Sequence, residues 1–198
     1  MTMDRFYPIF DHPNWIKRLL PLGVRLVQLR IKDGSKDDLQ QMIAAAQRMC
    51  RVANALLVVN DHWQIAMDQG CGFVHLGQED LDEADMPAIK RAGLRIGIST
   101  HDHDELERAR RFQPDYIALG PVYPTSLKKM KWQQQGLERI TEWKRLIGRT
   151  PLVAIGGMSV ERSYGAFTAG ADIVSAVTDI TLSSDPEARV RAWVEATR

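Results

Sequence analysis

Two cysteines, Cys50 and Cys71, are all that a chain of 198 residues carries, and their separation matches no metal-ligand spacing. That leaves no disulfide framework and no thiolate metal centre, and it fits two reduced thiols in a cytoplasmic protein. Charge of one sign is also missing: 26 Lys and Arg face 25 Asp and Glu, a formal net charge of +1. No bulk field calls for nucleic acid or an acidic membrane surface, so any anion site must be local. No uncharged apolar run approaches the ~18 residues of a membrane span. Asp4, Arg5 and Pro8 interrupt the N-terminal segment where a signal peptide would need an unbroken apolar stretch. Low-complexity tracts, linkers and close repeats are absent too, so 1–198 reads as one domain with its own core.

What is present is a rhythm of short apolar runs, each followed by a helical pattern. Strands are expected over 6–10, 25–31, 56–60, 73–76, 95–99, 116–120, 152–155 and 172–175. Helices are expected over 15–21, 36–53, 63–69, 83–92, 104–111, 137–147, 160–169 and 186–197. Strict β/α alternation needs parallel strands joined by helical crossovers. A doubly wound open sheet is the rival architecture, but it usually has fewer strands and a glycine-rich turn after the first one. Here the first strand runs into Asp11, His12, Pro13 and Asn14, without glycine. Eight units fit closure into a compact α/β fold, a single (β/α)8 barrel of the TIM class.

The second strand carries the first functional signal. Period-2 alternation puts Gln28, Arg30 and Lys32 on one face and Val27, Leu29 and Ile31 on the other. In a parallel barrel the apolar face meets the helices, so the polar set points to the upper lumen. Burying those groups without anionic or polar partners would be costly, which makes the barrel top a binding site.

Barrel enzymes act at the C-terminal ends of their strands. Asp61 and Asp80 follow neighbouring strands and can share one cation, with waters and substrate phosphate completing a Mg²⁺ shell. On position alone Asp61 serves equally well as a helix cap; Asp80 beside it, with Arg30 and Lys32 near, favours metal. Gly156 and Gly157, after the seventh strand, allow a close approach of backbone to a ligand in the region where this fold cradles phosphate. The longest connection, 121–136, carries Lys128, Lys129, Lys131 and Trp132 and reads as a lid over a diphosphate, with Lys128 in direct contact. His101 and His103 are too close in sequence to converge on a metal, and His75, within a strand, reads as a hydrogen-bonded residue of the core or one that supports the site from behind. Trp15, Trp63, Trp143 and Trp193 read as helix-to-barrel packing.

With these residues in view the chain resembles the thiamine phosphate synthase family over nearly its full length. The matching segments are VQLRIKD, LLVVNDHWQIA, VHLGQEDL, IGISTH, DYIALGPVYPTSLKK, VAIGGM and GADIVSAVTDI. Each is modest alone; seven in the right order at strand ends are specific. The resemblance implies a transferase that joins a hydroxymethylpyrimidine diphosphate to a thiazole phosphate, releasing pyrophosphate by a dissociative, Mg²⁺-assisted substitution. It implies that Arg30, Lys32, Asn60 and Lys128 hold diphosphate and that Asp61 and Asp80 hold Mg²⁺. Gln28 and Ser99 then face the pyrimidine, while Thr125, Gly157, Val177 and Thr178 hold the thiazole phosphate. The implied partners are these two small molecules, and oligomeric state stays open.

Two departures stand out in the lid. The family commonly reads PT-x-TK, whereas Pro124-Thr125-Ser126-Leu127-Lys128 lacks the second hydroxyl at Leu127. The stretch from Lys129 to Trp132 is also bulkier than the pattern, which bears on the preferred thiazole. Three rival readings remain: a thiazole tautomerase paralogue, expected to carry a lid His where Pro121 stands; a catalytically silent phosphate-binding barrel; and an unrelated phosphate barrel such as a sugar-phosphate epimerase, which leaves Lys128 and the Asp61/Asp80 pair unexplained.

Overall fold

The computed structural model describes residues 3–125 and 133–198. Its strands are β1 (Phe6–Phe10), β2 (Leu26–Leu29), β3 (Leu56–Asn60), β4 (Phe73–Leu76), β5 (Arg95–Thr100), β6 (Tyr116–Leu119), β7 (Leu152–Ala154) and β8 (Ile173–Ala176). They close into a barrel in sequence order, with every neighbouring pair parallel. Around it run α1 (Pro13–Leu19), α2 (Lys36–Val52), α3 (Trp63–Asp68), α4 (Asp80–Glu83), α5 (Met86–Arg91), α6 (His103–Arg111), α7 (Gly136–Ile147), α8 (Val160–Thr168), α9 (Thr178–Thr181) and α10 (Pro186–Ala196). The expected (β/α)8 architecture is therefore the observed one.

Local chemistry explains most boundaries. Ser35 and Asp38 form a reciprocal capping box at the start of α2. Asp102 and Asp185 cap α6 and α10 in the same sense, and Pro186 begins α10 where a missing N–H costs nothing. The helix expected over 15–21 starts earlier, at Pro13, because the His12 ring accepts from the Asn14 N–H at 3.1 Å. It ends in a 3-10 turn, Leu20–Leu22, around Pro21. The helix expected over 83–92 is instead two, α4 and α5. Asp85 caps Ala88, and Pro87 sits in the first turn, where it starts a helix rather than continuing one.

The strands bury two faces. Outward side chains such as Val27, Leu29, Val59, Val74 and Val174 join the shell between barrel and helices. Trp143 and Trp193 are fully buried in that shell, while Trp15 and Trp63 pack on it half-buried, in line with their expected structural role. Inward side chains form a separate lumen cluster of Tyr7, Leu26, Val58, Phe73, Tyr116, Ala118, Val153 and Ile173. Tyr116 fits there because β5 presents Gly97: a Cβ at that position would lie 2.0 to 2.5 Å from the Tyr116 ring. Gly97→Ala is expected to destabilise the barrel by about 2 kcal/mol or more through overpacking. Urea unfolding with an unchanged midpoint would contradict this account of the lumen.

Candidate active site at the barrel rim

Above the apolar cluster the lumen turns polar. Gln28, the inward residue after Leu26 on β2, is 2% exposed and donates from Nε2 to the Tyr7 hydroxyl at 2.8 Å. The Tyr7 hydroxyl meets that of Tyr116 at 2.9 Å, which lies 2.7 Å from Nδ1 of His75. His75 Nε2 is 2.8 Å from the Ser99 hydroxyl. A single direction satisfies every member: Gln28 to Tyr7, Tyr7 to Tyr116, Tyr116 to His75, and His75 to Ser99. It requires a neutral His75 protonated on Nε2. Burial drives the His75 pKa down to about 4, in agreement. The same burial raises both tyrosine pKa values, so neither ring ionises at neutral pH.

One side of the rim is built on strands β2 to β4. Asn60 is buried, Arg30 half-buried and Lys32 exposed, and neither cation donates a side-chain hydrogen bond to another described residue. Asp61 follows Asn60 in a left-handed conformation, φ 62°, and its N–H donates to the His75 carbonyl at 2.9 Å. Its side chain is not a helix cap: the cap position of α3 is His62, without a side-chain cap bond. The Asp61 carboxyl instead lies close enough to that of Asp80 to feel its charge, and Asp80 also accepts from the Gly77 N–H at 2.8 Å. Burial and the Asp80 charge push the Asp61 pKa up to about 6, against an opposing pull from Arg30. Two carboxylates that interact in this way suit a shared cation, and hard oxygen donors suit Mg²⁺. Among the described residues no group of three or more His, Cys, Asp or Glu converges on one point, so water and substrate oxygens would have to complete a shell.

The opposite side is built on β6 to β8. Gly156 and Gly157 have φ 93° and 62°, and a Cβ on either would meet Pro121 at 2.6 Å or the Pro124 carbonyl at 2.4 Å. The glycines thus allow the loops after β6 and β7 to touch, a need in this chain beyond any approach to a ligand. Arg162 donates to the Gly157 carbonyl and lies over the Tyr123 ring. Val177 and Thr178, both half-buried, lead from β8 into α9. Of three buried side-chain oxygens without partners among the described residues, Gln78 Oε1 follows β4 and Ser175 Oγ lies near the end of β8; the third is Gln69 Oε1.

The sequence-predicted residues therefore gather at one end of the barrel, in two groups across the lumen. Thr125 stands half-buried at the edge of the second group. Lys128, like Leu127, Lys129, Lys131 and Trp132, lies outside the described residues. His101 pairs with Glu105 and His103 with Glu142, so neither joins a metal set. Sequence reasoning missed Tyr7 and Tyr116. Their signal was the inward parity of β1 and β6, together with a glycine facing Tyr116 from β5.

His75 is expected to stay neutral through about pH 5.5 and to protonate only near pH 4. The folded state binds the proton less readily than the unfolded one, so this group's stabilisation is full above about pH 6.5 and lost as pH falls toward 4. Ring nitrogen NMR shifts that titrate near pH 6.5 for His75 would contradict the proposed hydrogen-bond run.

Comparison with known proteins agrees with this geometry. Residues 6–180 match the model of a family described as thiamine monophosphate synthase. The chain is 54% identical over 197 residues to a thiamine-phosphate synthase of Rhizobium etli, covering 100% of this chain and 97% of that protein. A thiamine-phosphate synthase of Citrobacter koseri is 44% identical over 191 residues, covering 96% and 87%. Among solved structures, a thiamine phosphate pyrophosphorylase from Pyrococcus furiosus superposes with a TM-score of 0.86 at 22% identity, covering 98% of this chain and 95% of that one.

Proposed function

The chain belongs to the thiamine monophosphate synthase family, and from that premise we propose that its rim joins a hydroxymethylpyrimidine diphosphate to a thiazole phosphate. The observation that carries the reading is the pair of facing groups: paired carboxylates with free cations on one side, glycine-rich loops and a short helix start on the other. Such a pair suits one substrate that leaves a polyanion behind and another held by a phosphate that does not react.

In this reading Arg30, Lys32 and Asn60 hold the diphosphate, with Lys128 as the fourth group on the strength of the sequence resemblance. Asp61 and Asp80 would hold Mg²⁺, which when bound supplies positive charge to the diphosphate. The C–O bond to the pyrimidine methylene breaks first, and its electron pair leaves with pyrophosphate. Arg30 and Lys32 meet the charge that develops there, so they stabilise the transition state more than the ground state. The thiazole nitrogen then donates its pair to the methylene carbon and completes thiamine phosphate. No proton has to move at the reacting atoms, in keeping with a His75 that is neutral and engaged on both nitrogens.

The polar lumen supplies orientation. Its hydrogen-bond run leaves two groups for a ligand, the amide oxygen of Gln28 and the hydroxyl proton of Ser99. An acceptor and a donor match the exocyclic amino group and a ring nitrogen of an aminopyrimidine. Thr125, Gly157, Val177 and Thr178 hold the thiazole phosphate. Among the described residues no helix is long and apolar enough to cross a membrane, and both cysteines are free and buried, which supports a cytoplasmic setting.

Supplying both substrates with Mg²⁺ should yield thiamine phosphate and pyrophosphate in equal amounts. Folded protein that makes neither would sink the assignment. Asp61→Asn is expected to abolish turnover yet raise the Tm of the metal-free protein by about 2–4 °C, since it removes carboxylate repulsion and asparagine accepts the left-handed backbone. The same variant should lose any Mg²⁺-induced rise in Tm. A retained rise would remove Asp61 from the cation site.

A further inference from the structure

The helix α9 is a single turn, too short to hold its own direction without tertiary support. It nevertheless begins at Val177 and Thr178, the groups assigned above to the acceptor phosphate. Its second residue, Asp179, sets a carboxylate in that same turn, where an uncompensated negative charge would repel a phosphate.

That carboxylate is tightly held. Arg189 on α10 donates from Nε to Asp179 Oδ2 at 2.8 Å and from Nη2 to Oδ1 at 2.8 Å, a bidentate pair. The indole of Trp193 donates to Oδ2 at 2.7 Å, and its ring stacks on Phe6 of β1 at 5.2 Å. The same guanidinium reaches α8, donating from Nη1 and Nη2 to the two Glu161 oxygens at 2.9 and 2.8 Å. Those bonds hold the Glu161 carboxyl down at about 2. The Asp179 side chain is only 14% exposed, so water screens this arrangement weakly on that side. One side chain thus ties α9 to the helices before and after it, and Trp193 ties Asp179 to the barrel wall.

We propose that Arg189 is a positioning residue for the acceptor site, fixing α9 and cancelling the Asp179 charge so that the helix start accepts a phosphate. It touches no substrate. The proposal rests on the reading of α9 as the acceptor-phosphate end, and it concerns the affinity of that end alone.

Steady-state kinetics of Arg189→Met, with each substrate varied in turn, tests it. Product formation by the unmodified protein first establishes the underlying reading separately; its absence would fail that reading and the proposal with it. The thiazole phosphate KM should then rise about tenfold in Arg189→Met, with kcat and the pyrimidine diphosphate KM within about twofold. Adding Asp179→Asn should return the acceptor KM to within about threefold of the starting value, because no carboxylate is left to neutralise. A merely structural role predicts that kcat and both KM values worsen together and that the double variant is no better. Either that pattern or an unchanged acceptor KM overturns the proposal. Should Arg189→Met fail to fold, Arg189→Gln keeps a hydrogen bond to Asp179 without the charge and must show the same selective rise.

Discussion

A closed ring of eight strands encloses a lumen that has to be filled, and every polar group placed inside it must find a partner. Here the lower lumen is filled by Leu26, Val58, Phe73, Val153 and Ile173, and the layer above by the Tyr7 and Tyr116 rings. The two hydroxyls then have no water to turn to. They are satisfied by each other, by Gln28 and by His75, and that requirement decides the state of everything the substrate would meet. Because the run ends on Ser99, its direction sets which of Gln28 and Ser99 presents an acceptor and which a donor. A change at Gly97 or Tyr116 is therefore a packing change that, in the proposed reading, also alters recognition. The barrel floor is not a passive support for the rim.

The rim itself is built under electrostatic tension. Asp61 occupies a left-handed backbone conformation that costs a non-glycine residue about 1 kcal/mol or more, and it uses that conformation to aim a half-buried carboxyl at Asp80. The backbone of Asp61 serves the fold, bonding His75 and the Trp63 N–H, but its carboxyl caps no helix. Burial first and the Asp80 charge second hold the Asp61 pKa up at about 6, and the pull of Arg30 offsets them only in part. Strain and like-charge proximity at one point support the proposed reading of Asp61 and Asp80 as a cation site.

Much of this was legible in the sequence, and the reasons differ by element. Alternation of apolar runs with helical periods fixed eight units, and parity along 25–32 sent Gln28, Arg30 and Lys32 to one face, because a period of two is a hard geometric rule. Strand ends slipped by a residue or two, as at β2, which stops at Leu29, since apolar content does not say where pairing ends. The division of 83–92 into α4 and α5 was missed because apolar periodicity outweighed Pro87 in the reading. The single-turn α9 was missed because four residues carry no period. Hardest to read were Tyr7, Tyr116 and Arg189. Tyr7 and Tyr116 are 109 residues apart, and Arg189 and its two carboxylate partners lie on three different helices, so only closure of the barrel brings them together. The lid residues Leu127 and Lys128 rest on the sequence alone.

The two halves of the rim differ in how they would carry charge, and the difference follows from the proposed reaction. On the side of β2 to β4 the groups are full charges: Arg30, Lys32, and two carboxylates suited to a divalent cation. On the side of β7 and β8 they are chiefly backbone dipoles and hydroxyls around Gly157, Val177 and Thr178; of the cations nearby, Arg189 is paired with Asp179 and Glu161, and Arg162 is bonded to the Gly157 carbonyl. Charge would build up on the leaving pyrophosphate as its bond breaks, so strong fixed cations there act on the barrier. The acceptor's phosphate keeps its charge from start to finish. Extra cations beside it would tighten substrate and product equally, slow product release, and offer pyrophosphate a second place to bind. Neutral N–H donors at a helix start hold a phosphate without that penalty, provided the nearest carboxylate is cancelled. The asymmetry of the rim thus separates binding that changes along the reaction from binding that does not.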